Sequence, residues 1–165
     1  MIFKNLSKIS LIDLILIILI FALDRISKIY VIYLSNKESV SEIFSSKFLN
    51  INLIWNDGIA FGLFSFDQNH FYNFLTIIIF VVILVVLVMM IKSNDFKKYL
   101  FLIIFAGAIG NLYDRIFYRA VPDFIDFHIG EFHWFIFNVA DIFITIGVIF
   151  MIFFELIGIR DERHE

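Results

Sequence analysis

The chain contains no cysteine among its 165 residues. This absence excludes disulfide bonds, thiolate catalysis and cysteine-ligated zinc, and the chain cannot itself carry a lipid on cysteine. It has one proline, and charged residues make up only 18% of it, whereas 61% of it is hydrophobic and 23 residues are phenylalanine. A net charge of −3, with no nucleic-acid-binding motif and no basic stripe, predicts that nucleic acid is not a partner.

The apolar residues are concentrated in four long runs, a pattern typical of a polytopic membrane protein. The clearest run covers residues 71–91 and carries no charge, so it is long enough to cross ~30 Å of hydrocarbon as a helix. The other three cover about 11–34, 99–117 and 135–154. We therefore predict one α-helical integral membrane domain over residues 1–165, with four transmembrane helices and loops at about 35–70 and 118–134.

The distribution of lysine and arginine predicts the orientation of these spans. Seven lie near the termini or between spans two and three, against three in the other two loops. The positive-inside rule then places both termini in the cytoplasm and the two long loops outside. The first run lacks a small-x-small cleavage site, so we expect a retained helix rather than a cleaved signal peptide. Weak alternation over residues 48–55 predicts a short strand, and hence a small β element, on the outer side.

Charged residues lie inside the predicted spans despite their cost there. At about 3 kcal/mol each near the middle of the bilayer, six would cost about 18 kcal/mol, more than the net stability of a typical domain. In the predicted orientation all of them fall in the outer halves of their spans, where pairing and partial hydration reduce that cost. They are Asp24, Arg25, Lys28, Asp114, Arg115 and Asp141.

Helical spacing arranges these polar residues into sets. Asp24 and Lys28 are four residues apart and share a helix face, so they can pair. Asn111, Asp114 and Arg115 share a face of the third span, and Asn138 lies three residues before Asp141. Small residues in the third span allow another helix to approach it closely. These residues are Ala106, Gly107 and Gly110.

Two aspartates stand apart from the other acids. Asp141 has no cation one helical turn away, and Asp123 follows the third span, so the topology can bring both to one depth. This pattern indicates an acid–base pair and therefore an enzyme. The alternative is that the Asp24/Lys28 and Asp114/Arg115 sets, with the two asparagines, only hold helices together, and that Asp123 is a solvated loop acid.

Five segments, taken in order, resemble the motifs of the lipoprotein signal peptidase family, also called signal peptidase II. The family patterns are Asp-x-x-Ser/Thr-Lys, Asn-x-Gly-x-Ala-Phe, Gly-x-x-Gly-Asn-x-x-Asp-Arg, Val-Val-Asp-Phe and Phe-Asn-x-Ala-Asp. The matching segments cover 24–28, 56–61, 107–115, 121–124 and 137–141. The sequence departs from the family at Pro122, where an aliphatic residue is usual, and at Ile142, where many members carry serine.

The resemblance implies a membrane aspartic endopeptidase that removes the signal peptide of diacylglyceryl-modified prolipoproteins just before the lipidated cysteine. It assigns catalysis to Asp123 and Asp141, and implies no metal and no other cofactor. It implies a location in the bacterial cytoplasmic (inner) membrane among membrane lipids, with the site near the outer face, and we expect a monomer. The implied substrate-binding or supporting residues are Asp24, Lys28, Asn56, Gly58, Asn111, Arg115, Asn138 and Ala140.

Other functions fit the sequence less well. His128, Glu131 and His133 do not have the His-Glu-x-x-His spacing of a zinc protease, and we expect them to be ordinary interfacial residues. A Gly-x-Ser-x-Gly elbow and a prepilin-peptidase Gly-x-Gly-Asp motif are both absent from the sequence. The non-enzyme alternative is a small proton or cation transporter or channel subunit. Such a protein needs a polar path across the whole membrane, whereas the second span is entirely apolar.

Overall fold

Four long helices and a small antiparallel sheet make up the part of the chain described by the computed structural model. That part is residues 9–58, 68–93 and 95–157, without the side chains of 68–71 and 95. The predicted fold class, a helical membrane protein with four long helices and a small β element, is confirmed. The helices are α1 (Leu11–Glu38), α2 (Gln68–Lys92), α3 (Asp95–Phe117) and α4 (Val139–Leu156), and the strands are β1 (Glu42–Ser45), β2 (Leu49–Asn56), β3 (Val121–Ile129) and β4 (Phe132–His133).

Three of the helices are long and apolar enough to cross a membrane, at residues 72–92, 96–117 and 139–156. The first helix is longer still, but it carries three charged residues close together, Asp24, Arg25 and Lys28. Such charges are costly in lipid, so composition alone does not identify this helix as a span. It begins at Ser10, whose side chain forms a capping box with Asp13, and it ends at Ser39 in the left-handed conformation. Large apolar side chains on the outer faces of the helices are about half exposed, as expected of surfaces that contact lipid.

The third helix is the centre of the bundle, because it packs against the other three. A Cβ added at Gly107 would lie 2.6 Å from the carbonyl oxygen of Ala140 on α4, and one at Gly110 would lie 2.6 Å from Oδ2 of Asp24 on α1. Ala106 is fully buried beside them. The predicted close approach at these small residues is therefore confirmed, and it brings backbone and carboxylate groups of three helices together.

The sheet lies at the end of the bundle where α1 and α3 finish and where α2 and α4 start. Its strand order is β1-β2-β3-β4, with every neighbouring pair antiparallel. The strand predicted at 48–55 is confirmed as β2, whereas β3 was not predicted and pairs along β2. Buried Phe124 of β3 packs with Leu53 of β2 and Val31 of α1, which fixes the sheet to the helices.

The last helix starts later than the predicted fourth span. Residues 135–137 are not helical, and Phe137 forms a β-bridge with Ile125 of β3. The helix begins only after Asn138, whose side chain caps it. The apolar run 134–137 therefore belongs to the sheet end of the molecule, and the helix N-terminus lies directly against β3.

Candidate active site

Asp123 lies on β3 and is held from two sides. It stands opposite Ile54 of β2, and only 4% of the residue is exposed. The Asn56 side-chain amide donates to Oδ2 at 2.9 Å, and the Asn138 side-chain amide donates to Oδ1 at 2.6 Å. Each carboxylate oxygen therefore has one amide donor, and these two bonds fix the carboxylate plane.

Asp141 occupies the third position of α4, where it completes the capping box of that helix. Its backbone N–H donates to Oδ1 of Asn138 at 3.2 Å, and the backbone N–H of Asn138 donates to Oδ2 of Asp141 at 3.1 Å. The side-chain amide of Asn111 on α3 donates to the other oxygen, Oδ1, at 2.7 Å. The partial positive charge of the helix N-terminus also favours an anion at this place.

Asn138 therefore bonds to both aspartates and holds them in one site. Burial raises the pKa of the Asp123 carboxyl, and the negative charge of Asp141 adds to that rise, whereas the amides of Asn56 and Asn138 act in the opposite direction. The net rise indicates that Asp123 keeps a proton to higher pH than an exposed aspartate. The sequence predicted that these two acids would meet, and the structure brings them together.

A buried ionic cluster lies directly behind Asn111. Nζ of Lys28 is 2.9 Å from Oδ1 of Asp24 and 2.7 Å from Oδ2 of Asp114, and it donates to Oδ1 of Asn111 at 2.8 Å. The pairing of Asp24 with Lys28 predicted from their spacing is confirmed. The possible Asp114/Arg115 pair is not what forms, because Asp114 instead accepts from the two terminal guanidinium nitrogens of Arg25, Nη1 at 2.5 Å and Nη2 at 2.7 Å.

Two cations and two carboxylates make this cluster formally neutral. Lys28, Asp24 and Asp114 are fully buried, and Arg25 is 9% exposed. Charges as deeply buried as these are tolerated only when paired and hydrogen-bonded. Oδ1 of Asp24 also accepts the backbone N–H of Ala140 at 3.0 Å, so the cluster holds the first turn of α4 that carries Asp141.

Arg115 faces away from that cluster, towards the loop after β2. Its guanidinium lies 5.9 Å from the ring centroid of Tyr72, and a Cβ added at Gly58 would lie 2.9 Å from its Nη1. Gly58 has φ +79°, a conformation that favours glycine, and it donates its N–H to Oδ1 of Asn56 at 2.8 Å. Nη1 of Arg115 is buried with no hydrogen-bond partner among the described residues. Ala60 and Phe61 of the same motif lie outside the described residues.

The sequence did not predict that Arg25 and Asp114 pair with each other. Each is next to a predicted site residue, so its burial could be predicted. Its partner could not, because the pair joins α1 to α3 across 89 positions. The sequence also did not predict the role of Tyr72, whose hydroxyl donates to the backbone carbonyl of Arg115 at 3.0 Å. That bond links α2 to the end of α3 beside the site.

An apolar groove of about 420 Å³ opens beside Asp141. Ile142, one of the two departures from the family pattern, lines it. The other departure, Pro122, is fully buried on β3 opposite Trp55. The groove adjoins a carboxylate and is otherwise almost entirely aromatic and aliphatic, so it suits an apolar ligand. Its lining residues are Phe127, Trp134, Phe135, Phe137, Asp141, Ile142, Thr145 and Ile146.

Known proteins resemble this chain along most of its length. The lipoprotein signal peptidase of Pelagibacter ubique (strain HTCC1062) is 50% identical over 135 residues, which are 82% of this chain and 81% of that protein. The lipoprotein signal peptidase of Francisella tularensis subsp. novicida (strain U112) is 38% identical over 126 residues, which are 73% and 78% of the two chains.

Solved structures and a family model agree with these relatives. Two structures, each described as a bacterial membrane enzyme, superpose on this chain with a TM-score of 0.71. One is 28% identical and covers 93% of this chain and 92% of that one, and the other is 29% identical with coverage of 90% and 94%. The model of the family described as signal peptidase (SPase) II matches residues 16–157. The chain therefore belongs to the signal peptidase II family of membrane aspartic peptidases.

Proposed function

We propose that this chain cleaves the signal peptide of diacylglyceryl-modified prolipoproteins just before the lipidated cysteine, with Asp123 and Asp141 as its catalytic pair. One observation carries the assignment of the pair. Two carboxylates from different elements bond to the same residue, Asn138, beside an apolar groove. Prolipoproteins are the substrates that membership of the family implies.

The reaction divides between one acid and one base. The ionised carboxylate takes a proton from water, and the water oxygen bonds to the scissile carbonyl carbon while the C=O π pair moves onto the carbonyl oxygen. That oxyanion then re-forms C=O as the C–N bond breaks, and the carboxyl that was protonated from the start gives its proton to the departing amine nitrogen. The pair titrates as a unit. Burial and the neighbouring charge of Asp141 raise the pKa of Asp123, which favours one proton shared by the pair over two ionised carboxylates.

The surrounding residues hold this pair and the substrate. Asn111 orients Asp141, and Asn56 orients Asp123. Lys28 donates to the side-chain carbonyl oxygen of Asn111, so it acts on Asp141 through Asn111. Arg115 has a buried nitrogen without a partner among the described residues and faces Gly58, so we assign it to a substrate carbonyl near that loop.

The groove beside Asp141 suits the lipid part of the substrate. A cysteine that carries diacylglycerol has its acyl chains in the bilayer, so the scissile bond lies near the membrane surface. The groove is lined by aromatic and aliphatic side chains, next to the first turn of α4. In this arrangement the acyl chains lie along the groove while the bond reaches the two carboxylates.

We place the protein in the bacterial inner membrane with both termini in the cytoplasm, because lysine and arginine favour that orientation by seven to three. The sheet and the catalytic pair then lie near the outer face, among membrane lipids. One chain supplies both aspartates, and we propose that it functions as a monomer. Neither the comparisons nor the polar cluster, which gathers at one end of the bundle, favours the alternative of a proton or cation transporter.

Cleavage of a purified diacylglyceryl-modified precursor tests this function. Asp123→Asn and Asp141→Asn should each lose cleavage while remaining folded. The matched control is Asp13→Asn, because Asp13 is a fully buried aspartate on α1 that pairs with Lys98 rather than with the site. We expect the control to cleave, and normal cleavage by either site variant would contradict the assignment. Ion flux in proteoliposomes without any cleavage would favour a transporter instead.

A further inference from the structure

A second cluster of chemically active side chains lies on the sheet, apart from the two catalytic aspartates. Asp126 and His128 of β3 and His133 of β4 each place one ligand atom, a carboxylate oxygen or a ring nitrogen, within 4.8 Å of the others. Nδ1 of His133 is 2.9 Å from Oδ2 and 3.1 Å from Oδ1 of Asp126. The two imidazole rings stack, with centroids 4.9 Å apart and planes 18° from parallel.

The positions of these three residues on two paired strands explain why their side chains lie close together. Residues two apart on a strand point to the same face, so Asp126 and His128 share one face of β3, opposite to Asp123. His128 is the cross-strand partner of His133 in the β3–β4 hairpin, which brings the second ring beside the first. The histidines at 128 and 133, which lack the spacing of a zinc protease, therefore lie in one cluster with Asp126, whereas Glu131 lies in the turn between the strands.

We propose that Asp126, His128 and His133 bind a divalent d-block cation of the zinc type, at a site distinct from the catalytic pair. Two ligands at zinc bonding distances in a tetrahedral arrangement lie about 3.4 Å apart. The cluster meets that spacing with shifts on the order of 1 Å. Two imidazoles and one carboxylate suit zinc, nickel or copper, whereas calcium and magnesium prefer a shell of oxygens.

The burial of the ligands supports a built site. Asp126 is only 4% exposed, and the side-chain amide of Asn50 lies 3.4 Å from its Oδ2, where it orients the carboxylate. Nδ1 of His128 is buried and has no hydrogen-bond partner in the described part of the chain. Because no bond at that nitrogen fixes the tautomer, the neutral ring can present a lone pair to a cation. The third ligand, His133, is half exposed, which gives the ion a path of entry.

Bound metal would cross-link strands β3 and β4 at the edge of the sheet. Strand β4 has only two residues, and Trp134 follows it directly into the groove beside Asp141. A cation bridging β3 and β4 fixes the position at which that lining segment begins. This inference does not rest on the catalytic assignment, because metal binding is measured without substrate.

The test uses the full chain purified in detergent through a tag without histidine and stripped of metal with EDTA. Isothermal titration with ZnCl₂ should show one saturable site, and CoCl₂ should produce the visible absorption bands of a low-coordinate cobalt site. His128→Ala and His133→Ala should each weaken zinc binding at least tenfold, since even partners outside the coordination shell contribute that much. Glu131→Gln, in the same hairpin but outside the cluster, should bind as the unmodified chain does.

Three outcomes would overturn the proposal. They are the absence of saturable binding by the unmodified chain, unchanged affinity in the double His128→Ala and His133→Ala variant, and equal loss in Glu131→Gln. The first would leave Asp126 and His133 as an ordinary hydrogen-bonded pair. Melting temperatures recorded without metal identify any variant that fails to fold. If the histidine variants fail to fold, the absence of saturable binding by the unmodified chain still overturns the proposal. Zinc binding that persists in Asp123→Asn separates this site from the catalytic pair.

Discussion

The side-chain amide of Asn111 donates to Oδ1 of Asp141 at 2.7 Å. The carbonyl oxygen of the same side chain accepts from Lys28, so the amide cannot rotate without placing its NH₂ group against an ammonium. A buried charge on α1 thereby sets the direction of a hydrogen bond from α3 to α4. We expect this bond to hold Asp141 in its working position.

Replacing Asn111 by alanine tests that role. A hydrogen bond to a charged group contributes about 1.5–3 kcal/mol, so Asn111→Ala should lower kcat about tenfold to a hundredfold while KM changes little. The control is Asn73→Ala, which removes an exposed amide that contacts only Arg119 among the described residues. Steady-state kinetics on a lipidated precursor give the result, and a rise in KM at constant kcat would assign Asn111 to substrate binding instead.

Lys28 should matter for stability as well as for rate. Lys28→Met leaves two buried carboxylates with only Arg25 between them, and breaking a buried ion pair from one side costs about 3–5 kcal/mol. We expect a lower melting temperature and a lower kcat, because the carbonyl oxygen of Asn111 also loses its hydrogen-bond donor. Lys97→Met is the control, since Lys97 forms an exposed pair with Glu155 at 3.5 Å. Equal melting temperatures for the two variants would show that the buried cluster contributes little.

The tight contacts of α3 predict a strong effect of one methyl group. A Cβ at Gly110 meets Oδ2 of Asp24 at 2.6 Å, so Gly110→Ala should cost about 1–3 kcal/mol and disturb the ionic cluster. Gly130→Ala provides a contrast, because space is free there and only its φ of +58° is strained, at a cost of about 1 kcal/mol. Thermal unfolding and cleavage should both fall for Gly110→Ala, whereas Gly130→Ala should keep its activity. Full activity of Gly110→Ala would mean that the helices separate easily at this point.

The raised pKa of Asp123 predicts how stability depends on pH. A carboxyl whose pKa is higher in the folded state than its unfolded value of about 3.9 stabilises the fold below that value. That stabilisation is lost as the pH rises through the folded-state pKa. The melting temperature of the unmodified chain, relative to that of Asp123→Asn, should therefore fall as the pH is raised from about 3.9. A relative melting temperature that instead rises with pH would show that the folded state lowers this pKa.

The two tryptophans of the chain allow the role of the groove to be tested against that of the rest of the sheet surface. Trp134 lines the groove beside Asp141, whereas Trp55 packs edge-on against Tyr118 away from that lining. Burying an acyl chain against a large apolar side chain is worth about 1.5–3 kcal/mol, so Trp134→Ala should raise KM for a lipidated precursor about tenfold or more. Trp55→Ala should leave KM unchanged. If both variants behave alike in the precursor titration, the groove does not hold the lipid.

Local spacing was enough to predict one part of the site. Asp24 and Lys28 are four residues apart on α1, so the helix repeat alone places them together. Asn138 and Asp141 have the three-residue spacing of a capping box at the start of α4. These rules could not find Arg25 as the partner of Asp114, because that contact depends on how α1 packs against α3. Spacing rules describe one helix, whereas buried charges choose partners from any helix at the same depth.

The sheet end of the molecule was harder to predict. A proline argues against a strand, yet Pro122 is the second residue of β3. Residues 134–137 are as apolar as the last helix that follows them, so hydrophobicity alone could not show where that helix begins. The capping signal at Asn138 marks its start, because the asparagine side chain accepts the otherwise free backbone N–H of Asp141 in the first turn of α4.

A double-mutant cycle on the two aspartates tests the central claim most directly. Cleavage of the lipidated precursor is measured for Asp123→Asn, Asp141→Asn and the double variant. Residues that act as one unit give non-additive losses, and acid–base catalysis contributes about 10²–10⁴-fold, so each single variant should lose about that much and the double variant little more. Near-normal cleavage by either single variant, or losses that multiply in the double variant, would contradict a catalytic pair.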